Sequence, residues 1–569
     1  MQRVSRHQIF PTGKPIPRVK MRKFIKVFLW LAVISSGCVG VLLLVIDYEL
    51  LINGIATFTG SQKHLTEIRD LIKPREVKLL TGYIFFNFII SVLILTKFNS
   101  INTYFYPIVR KTAYAIRSRI RHDYSAPFLY LLIIPVLSTL FHAFTMPVGN
   151  DEAYTYVNYT SRSIFACAFY YPDPNNHILH SILTNVFTIF HLPALATLRI
   201  PVILVSTLNL FVFFSLVKEY SNKKIAFSAV AIYSVFIITQ YYSYLSRGYA
   251  LQAFAFLIAT YSLFKIIKNP GNKVYWFYYI MGSAMGFYTI TSFLYPYLMI
   301  TLFMLVRFRK ITREFLISNI IIMVIVFYLY VPVIIFSGID SVIGNKFVIP
   351  IERSEVIERL PRFLLIAINE ITGFNGLIVL AIVIVATVML FKRFPRLFNY
   401  YFIWIISLVP VLLLLHSVIP FTRTFNYWGF SLALCLAVLV FFMVENIRFK
   451  VPFILLLMIL QSGMVIHFNF KVKAKEAHSL AVREEIEKVR EGKNFYVCSS
   501  LFDKYLTYDL VARNQSDFHI KYYKAKPVNL DTVPQKEKYD FLIVDSALDL
   551  TKDLSPISKN KIYSIYKGH

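Results

Sequence analysis

Asp151 and Glu152 stand side by side in Met146-Pro-Val-Gly-Asn-Asp151-Glu152-Ala-Tyr-Thr-Tyr, just after an apolar stretch long enough to cross a membrane. A carboxylate at such a place can take a proton from an attacking hydroxyl. It can equally serve the N-terminus of the short helical run expected over Tyr154 to Phe165. Three arginines recur at the outer ends of later apolar runs: Arg199 in Leu198-Arg199-Ile-Pro201, Arg247 in Ser246-Arg247-Gly-Tyr249, and Arg423 in Pro420-Phe-Thr-Arg423. Guanidinium groups grip phosphate through paired charged hydrogen bonds. One rim arginine is explained by snorkelling to the surface, but three on the face that carries Asp151 and Glu152 make the constellation a phosphate-bearing lipid substrate requires.

The segment Tyr170-Tyr-Pro-Asp173-Pro-Asn175-Asn176-His177 opens a run to Phe190 with apolar residues at helical spacing, which reads as an interfacial helix on the outer surface. Asn175, Asn176 and His177 at its start can orient a polyhydroxylated or anionic ligand beside free backbone N–H groups, or simply cap the helix. Asp151, Glu152, Asp173 and His177 together could form an oxygen-rich site for a divalent cation, useful to a diphosphate donor and dispensable for a monophosphate. No cofactor is otherwise implied.

The elements that must position these groups follow from composition. The 569 residues are 57% hydrophobic and 16% charged, with a mean hydropathy of +0.59; soluble domains hold about 25% charged residues. Apolar runs are expected near 25–46, 79–96, 127–145, 197–217, 225–241, 250–266, 275–291, 292–306, 314–336, 376–391, 401–416, 428–445 and 451–467. The chain is therefore read as a polytopic α-helical membrane protein of about thirteen spans. Its net charge of +29 lies in short loops such as Arg110 to Arg121 and Arg307 to Arg313. That placement is the positive-inside signal with anionic lipid as its neighbour, and it excludes nucleic acid, which needs a concentrated basic face on a soluble module. The basic N-terminus, with Arg3, Arg6 and Lys14 ahead of the first run, reads as an uncleaved signal anchor.

With the N-terminus inside, loops 48–78, 146–196 and 337–375 and everything beyond about residue 468 face the periplasm or cell exterior. The tail alternates helix and strand: a charged helix over Lys475 to Arg490, an apolar run at Phe495 to Val497, a helix over Leu501 to Ala512, and β-like runs at 519–523, 541–545 and 562–566. This predicts a small α/β domain without a phosphate loop or metal spacing. Three regions result: 1–126 with two additional spans, 127–467 with the chemistry-bearing residues, and 468–569 as the external domain. The four cysteines show no paired or metal-like spacing.

On these residues the sequence resembles the GT-C superfamily of integral-membrane glycosyltransferases, which includes the protein O-mannosyltransferases and the aminoarabinose transferases. The matching elements are the Asp151-Glu152 pair in the first large external loop, the Pro172-Asp-Pro-Asn175-Asn176-His177 stretch leading into an interfacial helix, Arg199-X-Pro, and Ser246-Arg247-Gly-Tyr249-Ala-Leu two spans later. The resemblance covers 127 to roughly 265. It implies inverting transfer of a sugar from a polyprenyl-phosphate-linked donor to a glycan, lipid or protein acceptor, in the bacterial cytoplasmic membrane with the site facing the periplasm. It further implies Asp151 as general base, with Glu152 orienting substrate or supporting the loop. Arg199, Arg247 and Arg423 would meet the donor phosphate, and Tyr249, Asp173, Asn175, Asn176 and His177 would lie near donor or acceptor. Many members carry a second acidic residue in the next external loop; Tyr241 to Tyr249 has none, leaving Asp173 or Glu370 as substitutes. An oligosaccharyltransferase or glycan ligase would share these features. A transporter of a lipid-linked substrate would place paired charges deep inside spans, where this sequence has few.

Overall fold

The structure, a computed structural model, describes residues 18–58, 65–122, 124–308, 312–344, 348–393, 396–444, 450–515, 517–522, 539–546, 556–559 and 562–567. The expected residues Arg3, Arg6 and Lys14 and the end of the strand run at Tyr523 lie outside these. The chain divides into two compact units, Met1–Ile120 and Arg121–His569.

The first unit holds α1 (Arg18–Val45), α2 (Tyr48–Phe58), α3 (Leu65–Leu71), α4 (Pro74–Thr96) and α5 (Phe98–His122). α1 and α4 pack closely because Gly37 and Gly40 offer no side chain: a Cβ there would stand 3.2 Å from the rings of Phe88 and Phe85.

The second unit begins with α6 (Ala126–Thr145), α7 (Asn150–Thr155), a π-helical turn at Tyr156–Thr160, α8 (Ile164–Phe169) and α9 (Ile178–Phe187). The single run expected over Tyr154 to Phe165 is thus interrupted. Next come α10 (Ala194–Tyr220), α11 (Lys223–Tyr233), α12 (Ile237–Tyr244), α13 (Tyr249–Lys268), α14 (Lys273–Thr289), α15 (Leu294–Phe308) and α16 (Arg313–Ser337). They are followed by α17 (Ile339–Ile343), α18 (Arg353–Thr372), α19 (Gly376–Arg393), α20 (Arg396–His416), α21 (Trp428–Val444), α22 (Lys450–Val489) and α23 (Ser500–Ala512).

Among the described residues eight helices are long and apolar enough to span a membrane, and two bent pairs would raise the count to ten. The other expected positions are filled by shorter helices: α14, of 17 residues, and the apolar parts of α20 and α21 at Tyr401–His416 and Trp428–Met443. The expected span at 225–241 is one of the bent pairs, α11 and α12 meeting at 67°. The carbonyls freed by that break find donors in side-chain amides. Gln240 Nε2 donates to the Ser234 carbonyl at 2.6 Å, and Gln461 Nε2 lies 3.4 Å from the Ala231 carbonyl and 3.0 Å from Ser234 Oγ, to both of which it donates. Broken backbone at membrane depth is tolerated where protein supplies such partners. The other bend, 86° between α18 and α19, turns at Gly373, whose φ of 85° suits only glycine well.

The final span and the charged helix expected after it are one continuous helix, α22, of 40 residues. It leads into a five-stranded sheet of β1 (Asn494–Val497), β2 (His519–Tyr522), β3 (Phe541–Asp545), β4 (Ser558–Lys559) and β5 (Tyr563–Lys567) in the order β2-β1-β3-β5-β4. β1 pairs in parallel with β2 and β3, with Phe495 opposite Ile520 and Phe541, whereas β5 runs antiparallel to β3 with Ile543 opposite Ile565. β1 and β3 are buried on both sides: Phe495, Val497 and Ile543 face α22 and α23, while Tyr496, Leu542 and Val544 form a second cluster; edge strand β2 is largely exposed. The fold is that of a polytopic α-helical membrane protein with a small α/β tail.

Candidate active site

α7 is only six residues long, and a helix that short has no stability of its own in water. What fixes it is Glu152, which occupies its third position and is wholly buried. Glu152 Oε2 accepts from the Gly149 N–H at 2.8 Å and from Arg199 Nη2 at 2.6 Å. Its Oε1 accepts from Arg199 Nε at 3.1 Å and from the Ser246 N–H at 2.6 Å. Arg199 spends the rest of its donors on backbone: Nη1 on the carbonyls of Ala143 and Met146, both at 2.9 Å, and Nη2 on that of Pro147 at 2.7 Å. These carbonyls at the end of α6 lack helical partners, and a cation there also meets the negative end of the helix dipole. The pair thus joins α6, α7, α10 and the turn before Arg247 into one rigid corner.

Asp151 points the other way and is 36% exposed, with Oδ2 3.8 Å from Arg247 Nε. Arg247 is almost entirely buried. Its Nη2 donates to Asn175 Oδ1 at 2.5 Å, and its Nη1 to the Asn175 carbonyl at 3.1 Å and to Thr155 Oγ1 at 3.3 Å. Its Nε is buried without a hydrogen-bond partner. Arg423 enters from the turn Thr422–Phe425, packs over the Phe421 ring at 4.4 Å, and lies within electrostatic reach of Asp151, Tyr242 and Tyr249. Its Nε too is buried and unpartnered. Two guanidinium N–H donors held from water without an acceptor are costly unless an anion completes them.

The Gly248 N–H donates to His177 Nδ1 at 2.7 Å, which leaves the ring proton on Nε2, 3.3 Å from Arg247 Nη2. A second proton on Nδ1 would have no acceptor. Burial first, and Arg247 next, hold this imidazole well below its usual range; the same two causes bring His180, hydrogen-bonded to Ser246 Oγ at 2.9 Å, down to about 3. Gly248 is required by close approach, since a Cβ there would meet Thr289 Cγ2 at 2.8 Å and His177 at 2.9 Å. Tyr249 follows with its ring 5.1 Å from that of His177 and 4.5 Å from that of Tyr242.

Asn175 therefore holds Arg247, and Asn176 ties its own loop: its Nδ2 donates to the Cys167 and Tyr170 carbonyls at 2.9 and 3.0 Å, and its Oδ1 accepts from Ser181. Asp173 accepts from the Tyr154 hydroxyl at 3.2 Å, and burial together with Asp173 pushes that phenol's pKa up. Glu370 accepts from Thr422, next to Arg423. The four groups considered for a cation site do not converge, because Glu152 is taken by Arg199 and His177 faces Arg247. Among the described residues no three His, Cys, Asp or Glu side chains are placed to hold a metal ion.

The structure thus brings Asp151, Arg247, Arg423, Asn175, His177 and Tyr249 into one cluster beside the half-exposed Asp151 carboxylate, with Glu152, Arg199 and Asn176 behind it. Thr155, Tyr242 and Ser246 also belong to the site. Only Ser246 had a signal in the sequence, as the neighbour of Arg247; Thr155 and Tyr242 carry none.

No family model matches the sequence, and no curated protein sequence matches it. Solved structures do. ArnT from Cupriavidus metallidurans in the apo state is 13% identical, with a TM-score of 0.51 over 77% of this chain and 97% of that one. The same protein bound to undecaprenyl phosphate gives 12% identity and a TM-score of 0.52 over 78% and 98%. An oligosaccharyltransferase from Archaeoglobus fulgidus in the apo form gives 12% and 0.44 over 75% and 70%. The chain accordingly shares its fold with ArnT from Cupriavidus metallidurans.

Proposed function

We propose that the protein is a membrane glycosyltransferase that moves a sugar from a polyprenyl-phosphate-linked donor to an acceptor hydroxyl on a glycan, lipid or protein. The observation that carries this reading is the half-open Asp151 carboxylate 3.8 Å from a buried arginine whose Nε has no acceptor, with Arg423 in the same condition nearby. One group there can take a proton and two can hold phosphate. A fold shared with a protein bound to undecaprenyl phosphate supports the donor class.

On this reading Asp151 accepts the proton of the acceptor hydroxyl as its oxygen attacks the anomeric carbon from the side opposite the phosphate. The anomeric carbon–oxygen bond breaks, its electron pair stays on the lipid phosphate, and the sugar is transferred with inversion. Arg247 and Arg423 stabilise the charge that grows on the leaving phosphate, and such preorganised donors act most strongly in a site shielded from water. Asn175 and Thr155 hold Arg247 in place, while His177, Tyr249 and Asp173 border the substrate. Glu152 and Arg199 serve as the corner that aims Asp151. Residues 127–467 form the catalytic part, 1–126 an added membrane part and 468–569 an external domain, in the bacterial cytoplasmic membrane with the site toward the periplasm.

The test is transfer of labelled sugar from polyprenyl-phosphate donors by purified protein, wild type beside Asp151→Asn. Folded wild type that transfers from no donor sinks the proposal, and a folded Asp151→Asn with full activity removes Asp151 as the base.

A further inference from the structure

The six residues of α7 have two sides. Glu152 faces Arg199, but Ala153, the next residue, is wholly buried in the core of the C-terminal sheet unit, together with Val482 and Ile486 of α22 and Phe502 and Leu506 of α23. Val148, just before α7, packs against the same core. One turn further on, the Tyr156 ring meets the Tyr508 ring of α23 edge to face, with centroids 5.3 Å apart. Tyr508 also faces the Glu152–Arg199 corner; burial, then the Glu152 charge, push its phenol's pKa up. A second bridge runs from α22, where Glu476 Oε1 accepts from the Tyr241 hydroxyl of α12 at 2.7 Å, three residues before α12 ends and the chain turns toward Arg247. The tail thus grips both segments that carry the site.

We infer that the C-terminal α/β unit holds the Asp151 segment in register with Arg247, and that Tyr508 is its positioning residue. This rests on the glycosyl-transfer reading of the site. Packing from the sheet unit supplies the order that a six-residue helix cannot supply alone, and a displacement of about 1 Å at a reacting group can cost about 100-fold in rate. Tyr508 acts through Asp151 and touches no substrate.

The experiment compares full-length wild type, Tyr508→Leu and Tyr508→Phe by amide hydrogen exchange and by transfer kinetics, with Tyr156→Leu probing the same ring contact from the other side should Tyr508→Leu not fold. In Tyr508→Leu, residues 150–160 are expected to exchange at least ~10-fold faster, with α13 unchanged. The turnover number falls by ~10- to 100-fold and the KM for the lipid donor changes less than ~2-fold, because the phosphate-holding arginines stay in place. Tyr508→Phe, which keeps the ring, restores both. Unchanged exchange of 150–160 in the leucine variants overturns the inference, whatever the transfer rate. Exchange needs no substrate, so a wild type that transfers nothing would sink the glycosyl-transfer reading while the exchange result still decides whether Tyr508 holds the segment.

Discussion

Glu152 and Arg199, 47 residues apart in the chain, form a 2.6 Å ion pair in which neither side chain sees solvent to more than 1%. A pair so enclosed must have its remaining donors and acceptors met, and here they are, by the Gly149 and Ser246 N–H groups and by the carbonyls at the end of α6. Removing one partner leaves the other charged and buried. We expect Glu152→Ala or Arg199→Ala alone to cost about 3–5 kcal/mol, read as a lowered unfolding midpoint of the detergent-purified protein. The double variant should cost less than the two single losses added together; a single variant as stable as wild type would mean the corner does not hold the fold.

Asp151 should behave in the opposite way. Its carboxylate is partly open and stands 3.8 Å from Arg247, too far for a hydrogen bond, so Asp151→Asn, which keeps the shape of the side chain, should leave stability within about 1 kcal/mol. The same variant should lower transfer by about 10²- to 10⁴-fold, the usual weight of a general base. The contrast between adjacent residues is the informative measurement. Should Asp151→Asn unfold while Glu152→Ala stays folded and inactive, the two roles would be reversed.

Arg247→Lys keeps a positive charge but loses the fork that engages Asn175 at two points. With about 1.5–3 kcal/mol for a hydrogen bond to a charged group, binding of polyprenyl phosphate should weaken by roughly 10- to 100-fold. Arg423→Ala should weaken it comparably and leave the fold intact, since Arg423 donates to no structural ion pair among the described residues. Titration of the lipid into each variant reads this directly, and undiminished affinity in both would remove the arginines from the donor site.

The buried imidazoles give stability a sign with pH. His177 and His180 are held neutral in the fold, His180 down to about 3, while the unfolded chain takes up protons below about 6.5. The unfolded state therefore binds more protons in the window from about 6.5 downward, and stability is lost as pH falls through it. The unfolding midpoint should drop between pH 7 and pH 5, above the range in which most carboxylates titrate. His180→Asn should flatten that slope; an equal slope in the variant would assign the effect elsewhere.

The sequence by itself determined the kind of molecule and the positions of its elements. A helix stands at each of the thirteen expected apolar positions, though only eight of the described helices, or ten with the bent pairs, are long and apolar enough to span; the positions were legible because hydrophobicity is a local property of a segment. The alternating tail was legible for the same reason: each of β1, β2, β3, β5 and α23 falls where its residues predict. Charged groups such as Asp151, Arg199, Arg247 and Arg423 also stood out in the sequence, because a carboxylate or guanidinium at a span end is costly and therefore conspicuous, whereas Thr155 and Tyr242 did not. What only the tertiary structure decided is which of them face the open space. Asp151 and Glu152 are neighbours in one loop, yet one is open and the other sealed, because Arg199 arrives from α10 to claim Glu152 and the carbonyls behind it. The break between α11 and α12 was hidden too, since the amides that satisfy its Ser234 and Ala231 carbonyls come from Gln240 and, more than two hundred residues away, from Gln461. Pairings over such distances leave no period or composition in a segment; they exist only where packing brings the partners together.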